Sequence, residues 1–229
     1  MIYITGDTHQ NIDISKLNTK NFPEQKELTK SDYVIICGDF GMVWNNSKEE
    51  MYWRKWLEKK NFTTLFIDGN HENYELLNEF PVIEKFGGKV QEIGKDIFHL
   101  MRGEIYTIDG KTFFCMGGGE SDDIDMRQEG KSWWKDEMPN AEEMKNGAEN
   151  LKSADFQVDY VITHEAPAMA KDFIRLHTNS AMKQTPINTY LQELMKNVEY
   201  NHWFFGSLHI DLQISKKMTA VFNEIIKIR

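Results

Sequence analysis

Five short runs along the chain are apolar, β-branched or aromatic at nearly every position: Ile2–Thr5, Tyr33–Cys37, Thr64–Ile67, Tyr160–Thr163 and Trp203–Phe205. Runs without polar alternation predict strands buried on both faces, as in an α/β sheet. Between them the pattern turns helical. Ser47-x-x-Glu50 reads as a capping box opening a helix through Met51, Trp53, Trp56 and Leu57. Asn140-x-x-Glu143 opens another in the same way. Thr185-Pro186 starts a third, with Ile187, Tyr190, Leu191, Leu194, Met195 and Val198 as its core stripe.

Two regions follow a different rhythm. From Val90 to Met116 apolar and polar residues alternate, and Asp109-Gly110 between Glu104–Ile108 and Lys111–Met116 predicts a hairpin turn. Asp211 to Arg229 also alternates, around a turn-like Lys216-Lys217. Both regions predict antiparallel strands added to a parallel core. There is no repeat and no Pro-, Gly- or Ser-rich linker, so residues 1–229 are expected to form a single domain.

Composition narrows the class. The chain is 40% hydrophobic and 28% charged, enough to bury a core without disulfides. No stretch nears the ~20 apolar residues of a membrane span, and the N-terminus carries no readable secretory signal. Cys37 and Cys115 lie in strand-like runs and are expected to be buried free thiols, which suits the cytoplasm. With 27 Lys and Arg against 36 Asp and Glu, the net charge is -9. Broad attraction to nucleic acid or anionic lipid is thereby disfavoured. Any phosphate chemistry needs a local source of positive charge.

Histidine supplies the candidate. Four of the seven follow strand-like runs closely, in Gly6-Asp7-Thr8-His9, Gly69-Asn70-His71-Glu72, Thr163-His164-Glu165 and Gly206-Ser207-Leu208-His209. A further strand end carries Gly38-Asp39. The carboxyl ends of strands in α/β sheets converge on one crevice, where these residues can meet. Carboxylates, an amide and imidazoles without thiolate suit Mn, Fe or Zn rather than Ca or Mg alone. In Asp7-x-His9, an extended strand would place both donors on one side. A carboxylate shared by two ions ~3.5–4 Å apart is the usual core of a two-metal hydrolytic site. His99, His177 and His202 fit no motif and are expected to be structural or exposed.

The ordered set resembles the calcineurin-like metallophosphoesterases, whose pattern runs D-x-H, G-D, G-N-H-[D/E], H and G-H-x-H. The matches are Asp7 and His9, Gly38-Asp39, Gly69-Asn70-His71-Glu72, His164, and Gly206 with His209. The resemblance implies a four-layer α/β/β/α sandwich of two mixed sheets flanked by helices. It also implies two divalent ions, Mn first, with Fe, Zn, Ni or Co as alternatives. Asp7, His9 and His209 would hold the first ion, Asp39 would bridge, and Asn70 and His164 would hold the second. Asp39 and His71 would be catalytic, His71 contacting the phosphate or protonating the leaving group after hydroxide attack. The implied substrate is a phosphate-ester small molecule or a nucleotide.

Two departures shape the expectation. Ser207 stands where the pattern has its first histidine of G-H-x-H, so the second ion should bind more weakly. A site degraded there would leave a non-catalytic metal- or partner-binding module. After Gly38-Asp39 the chain reads Phe40-Gly41-Met42-Val43-Trp44, without the arginine signals of protein Ser/Thr phosphatases. A nucleotide or nucleic-acid phosphodiesterase is the nearer rival. Arg127, Trp133 and Trp134 are candidates for a substrate-binding lid. Gly117-Gly118-Gly119 is expected to be a flexible turn, and Asp122, Asp123 and Asp125 a solvated acidic loop.

Overall fold

The computed structural model describes residues 1–228, and among them the strands form two mixed sheets flanked by helices. The first sheet holds β1 (Ile2–Thr5), β2 (Tyr33–Ile36), β3 (Thr63–Phe66), β4 (Val82–Lys85), β5 (Gly88–Gly94), β6 (Ile97–Leu100) and, from the far end of the chain, β13 (Ile226–Ile228). Its order is β13-β1-β2-β3-β6-β5-β4. The second holds β7 (Ile105–Ile108), β8 (Lys111–Met116), β9 (Tyr160–Thr163), β10 (His202–Phe205), β11 (Leu212–Ser215) and β12 (Met218–Ala220), in the order β11-β12-β10-β9-β8-β7.

All five apolar runs are strands, but they divide between the sheets. β1, β2 and β3 pair in parallel in the first, and β9 pairs with β10 in the second. The alternating region supplies the antiparallel strands that finish one sheet and begin the other. Asp109 and Gly110 both have positive φ, 50° and 74°, as the hairpin turn requires. The terminal alternation is split more sharply. β11 and β12 pair antiparallel in the second sheet, while β13 crosses to pair with β1. Arg229, the end of that predicted stretch, lies outside the described residues.

The layers follow from strand periodicity. Ile2, Ile4 and Ile35 point from the first sheet into a core shared with Phe113, Tyr160 and Phe204 of the second. Tyr3, Val34 and Ile36 point the other way, against Leu57 and Trp53 of α1 (Lys48–Glu58). On the outer face of the second sheet, Phe114, Val161 and Trp203 pack against α3 (Ala141–Ser153), α4 (Ala168–Thr178) and α5 (Pro186–Asn197). A one-turn α2 (Tyr74–Leu77) follows the loop after β3.

The capping signals hold unevenly. Asn140 and Glu143 form a complete box. Ser47 accepts from Glu50 N, but the Glu50 carboxylate turns away to take the N–H groups of Trp44 and Asn45. Helix α4 lacks the capping signal that marks the other long helices, since Pro167 stands at its N-cap and makes no side-chain cap bond.

Candidate metal centre

The loops leaving β1, β2 and β3 meet those leaving β9 and β10 where the two sheets abut. Asp7 is fully buried beyond β1, and Asp39 is buried beyond β2. The extended-strand expectation for Asp7 and His9 fails. β1 stops at Thr5, and His9 and Gln10 take positive φ of 38° and 53°. Thr8 and His9 both donate their N–H groups to the Asp39 carbonyl, so a tight turn, not strand alternation, brings the donors together.

The glycines before the motif acids serve close approach as much as turning. A Cβ on Gly38 would lie 2.0 Å from His164 Nδ1, and one on Gly69 2.0 Å from an Asp39 carboxylate oxygen. Only glycine lets these loops touch.

Asp7, His9, Asp39 and His209 each present a donor atom, all within 4.8 Å of one another. His9 Nε2 is 3.1 Å from Asp39 Oδ2, and His209 Nε2 is 3.1 Å from Asp7 Oδ2. Asp7 Oδ2 is buried and accepts no hydrogen bond. Across the Asp39 carboxylate, Oδ1 lies 3.4 Å from His164 Nε2, which is itself 3.1 Å from Asn70 Oδ1. Asp39 thus faces His9 with one oxygen and His164 with the other. Oδ1 also accepts the N–H groups of Asn70 and His71.

The imidazoles are set for coordination. His9 Nδ1 is 2.8 Å from the Asp13 carboxylate, and His164 Nδ1 is 2.9 Å from the Cys37 carbonyl. A donor proton on Nδ1 in each leaves the Nε2 lone pair aimed inward, the arrangement of metal-bound histidine. Facing lone pairs and an orphaned buried carboxylate oxygen fit a divalent cation.

Without one, protons do the same work. Burial pulls the His9 pKa down, but Asp39, with Asp7 and Asp13, overrides it and raises the pKa to about 9. His164 likewise rises to about 9, burial being outweighed by Asp39 and Asp7. Burial pushes the Asp39 carboxyl up, yet His164, His9 and His71 hold it well below the usual carboxylate range.

His71 stands at the rim, its ring 35% exposed and its Nε2 4.0 Å from Asp39. Burial, opposed by Asp39, leaves its pKa lowered. It lines a cavity of about 270 Å³ with Asp39, Asn70, Arg127, Glu165, Lys171 and Ser207. Ser207 donates its backbone N–H to Asp7 Oδ1 (3.1 Å), while its side chain turns away from the cluster. Its hydroxyl donates to Glu165 (3.2 Å), whose other oxygen takes Lys171 Nζ (2.9 Å) and Asn188 Nδ2 (2.7 Å).

The lid residues separate. Arg127 reaches the cavity wall, tied to Asp123 and the Ser132 carbonyl. Trp134 is buried edge-on against Trp44 in the outer core of the first sheet. Trp133 is half-buried, and neither tryptophan lines this cavity among the described residues. The glycine run is no loose turn. Gly118 N bonds the Asp68 carbonyl, Gly119 N bonds the Glu137 carbonyl, and Gly117 packs on Asp68. Of the acidic loop, Asp122 and Asp123 belong to the cavity wall.

Several supporting residues have no role assigned to them by the sequence pattern. Glu72, fully buried, takes the N–H groups of Phe40 (2.6 Å), Gly69 (2.8 Å) and Gly41 (3.4 Å), clamping the loops after β2 and β3. Its place directly after His71 was the available signal. Asp68 gathers His99, Arg102 and Tyr74 beneath the same loops, which makes His99 structural. Both cysteines are free and buried.

A sequence model of calcineurin-like phosphoesterases matches residues 1–211, which include every motif position from Asp7 to His209. Lariat debranching enzyme A of Xenopus laevis is 24% identical over 241 residues. That alignment covers 91% of this chain and 42% of the relative, so the chain spans about two fifths of that protein's length. Two mixed sheets between helices, with the motif residues gathered at one edge, agree with the match: the chain belongs to the calcineurin-like phosphoesterase family.

Proposed function

We propose that this protein is a metal-dependent hydrolase of phosphomono- or phosphodiesters that works with two divalent cations, Mn foremost. The carrying observation is the Asp39 carboxylate, which offers one oxygen to Asp7, His9 and His209 and the other to Asn70 and His164. Asp7, His9 and His209 hold the first ion, Asn70 and His164 the second, and Asp39 bridges. When bound, such ions supply a nucleophile from water near neutral pH and offset charge on the phosphate. They would also add positive charge beside Arg127 and Lys171, whose own charges are paired with Asp123 and Glu165 in a chain of net charge -9.

The chain's own groups orient the reaction. Half-buried Asp13 and the Cys37 carbonyl hold His9 and His164 in one tautomer. Glu72 keeps the Asp39 and Asn70 loops in register. His71, open to the cavity, contacts the ester and gives a proton to the leaving oxygen. Arg127 on the same wall is positioned for a phosphate oxygen. We further propose that residues 1–229 act as one domain in the cytoplasm, a compartment that suits two free buried thiols.

The test is turnover of aryl phosphate mono- and diesters by metal-stripped protein reloaded with Mn. Wild type should turn over at least one ester, and His71→Ala should lose about 10²–10³-fold in kcat with unchanged metal content. Turnover of neither ester by wild type would leave a binding module on this fold as the better reading.

The lariat debranching relative favours a second reading, a nucleic-acid phosphodiesterase. Against it stand Glu120, Asp122 and Asp123 on the cavity wall, which repel an extended polyanion. Faster cleavage of a lariat than of a simple diester would decide for it.

A further inference from the structure

The three inward imidazoles are not held alike. His9 and His164 each have an Nδ1 partner, Asp13 and the Cys37 carbonyl. His209 is 50% exposed, takes a positive φ of 51°, and contacts Asp7 through Nε2. What defines its ring plane is Phe222, stacked on it at 4.8 Å between centroids and 20° between planes. The edge of the His9 ring meets it at 4.9 Å.

Phe222 is itself anchored with unusual care for a loop residue. The buried Lys16 ammonium lies 4.6 Å from the centre of its ring. The same ammonium donates to the Phe222 carbonyl and, at 2.7 Å, to the carbonyl of Asp7. The Asp211 carboxylate accepts the N–H groups of Phe222 (2.7 Å), Asn223 (3.0 Å) and Glu224 (3.1 Å). The preceding residue packs between the two sheets: a Cβ on Gly6 would lie 2.1 Å from the Val221 carbonyl, and Val221 N bonds the Phe205 carbonyl. One short segment therefore touches the exit of β1, the exit of β10 and the ring of His209.

We propose that Phe222 is a positioning residue for the first cation: its ring sets the plane of His209, and Lys16 and Asp211 lock the 221–224 segment that carries it. The inference rests on the assignment of His209 as a ligand. An imidazole fixed by a carboxylate is limited by hydrogen-bond geometry, whereas one fixed by stacking can pivot in its plane. Removal of the ring should thus weaken the first ion without touching Asn70 or His164. Loss of an orienting partner around a metal site typically costs 10–100-fold in affinity.

The experiment is titration of the metal-stripped full chain with Mn, read by electron paramagnetic resonance of free ion, for wild type, His209→Ala, Phe222→Ala, Phe222→Leu and Phe222→Tyr. The stack predicts that Phe222→Ala and Phe222→Leu weaken the first ion about tenfold. Phe222→Tyr keeps the ring and stays within about twofold. The second ion is unmoved in all three. Leucine is the deciding variant, since it keeps apolar bulk and folding but has no flat face. Wild-type affinity in Phe222→Leu, or equal weakening of both ions, would overturn the stack while His209→Ala still weakened the first ion. Should His209→Ala bind as wild type, the ligand assignment falls, and this inference with it.

Discussion

The two halves of the centre are built to different standards. On the Asp7 side, two carboxylates and two imidazoles converge, one imidazole hydrogen-bonded to Asp13 and the other stacked on Phe222. On the Asn70 side there is one imidazole, one neutral amide and a serine hydroxyl that spends itself on Glu165. Asp39 is shared, so the difference lies in what surrounds it. Charge and donor count favour the first half for a divalent ion. The loops that carry both halves are held by Glu72 and Asp68, so their frame does not depend on which residue stands at position 207.

The comparison is broken most severely at its shared member. Asp39→Ala should abolish tight binding of both ions and lower kcat/KM by roughly 10³-fold or more, since the lost charge stabilisation is several kcal/mol and each 1.36 kcal/mol is tenfold. Calorimetric Mn titration alongside the ester assay checks both parts. Selective binding with one ion retained would show that the halves do not depend on a bridge.

A gentler change should level the halves. In wild type the first Mn should bind tightly and the second only at higher concentration. Ser207→His should tighten the second about tenfold or more while leaving the first unchanged. Two equally tight ions in the wild-type protein would remove the asymmetry altogether.

Proton competition tests both halves without mutation. In metal-free protein His9 and His164 have pKa values of about 9, against about 6.5 unfolded. Raised folded pKa values give stability that is full below pH 6.5 and lost as pH rises through 9. Melting in chelator should therefore fall by several degrees between pH 6.5 and 9. Saturating Mn should flatten that slope, because the ion replaces the protons. A flat chelated profile would mean that the imidazoles are neutral when metal-free.

The smallest effect concerns the separated lid residues. Arg127→Ala should raise KM about threefold to tenfold with metal affinity unchanged. Trp134→Ala should instead cost about 3–5 kcal/mol of stability by opening the core beside Trp44.

Much of this was legible in the chain. Apolar runs located the parallel strands, Asp109-Gly110 located the hairpin, and Gly-Asn-His placed Asn70 and His71 at a strand end. Local pattern could not assign β9 and β10 to a different sheet, because sheet membership depends on partners far away in sequence. Nor could it find Asp13, Lys16 or Glu137, whose roles exist only after folding. Asp7 and His9 do lie together, but a tight turn and not strand periodicity brings them there. The tryptophan pair misled because adjacency along the chain says nothing of shared direction once a turn intervenes.

The β13–β1 pairing carries a temporal consequence. A chain under synthesis that has emerged as far as β6 already owns Asp7, His9, Asp39, Asn70 and His71, a set of donors with no His164, no His209 and an unpaired β1 edge. Such a fragment would be an indiscriminate chelator if it stayed compact. The first sheet acquires the strand that covers the free edge of β1, and His209 its backing ring, only when residues 222–228 arrive, so one late segment supplies both.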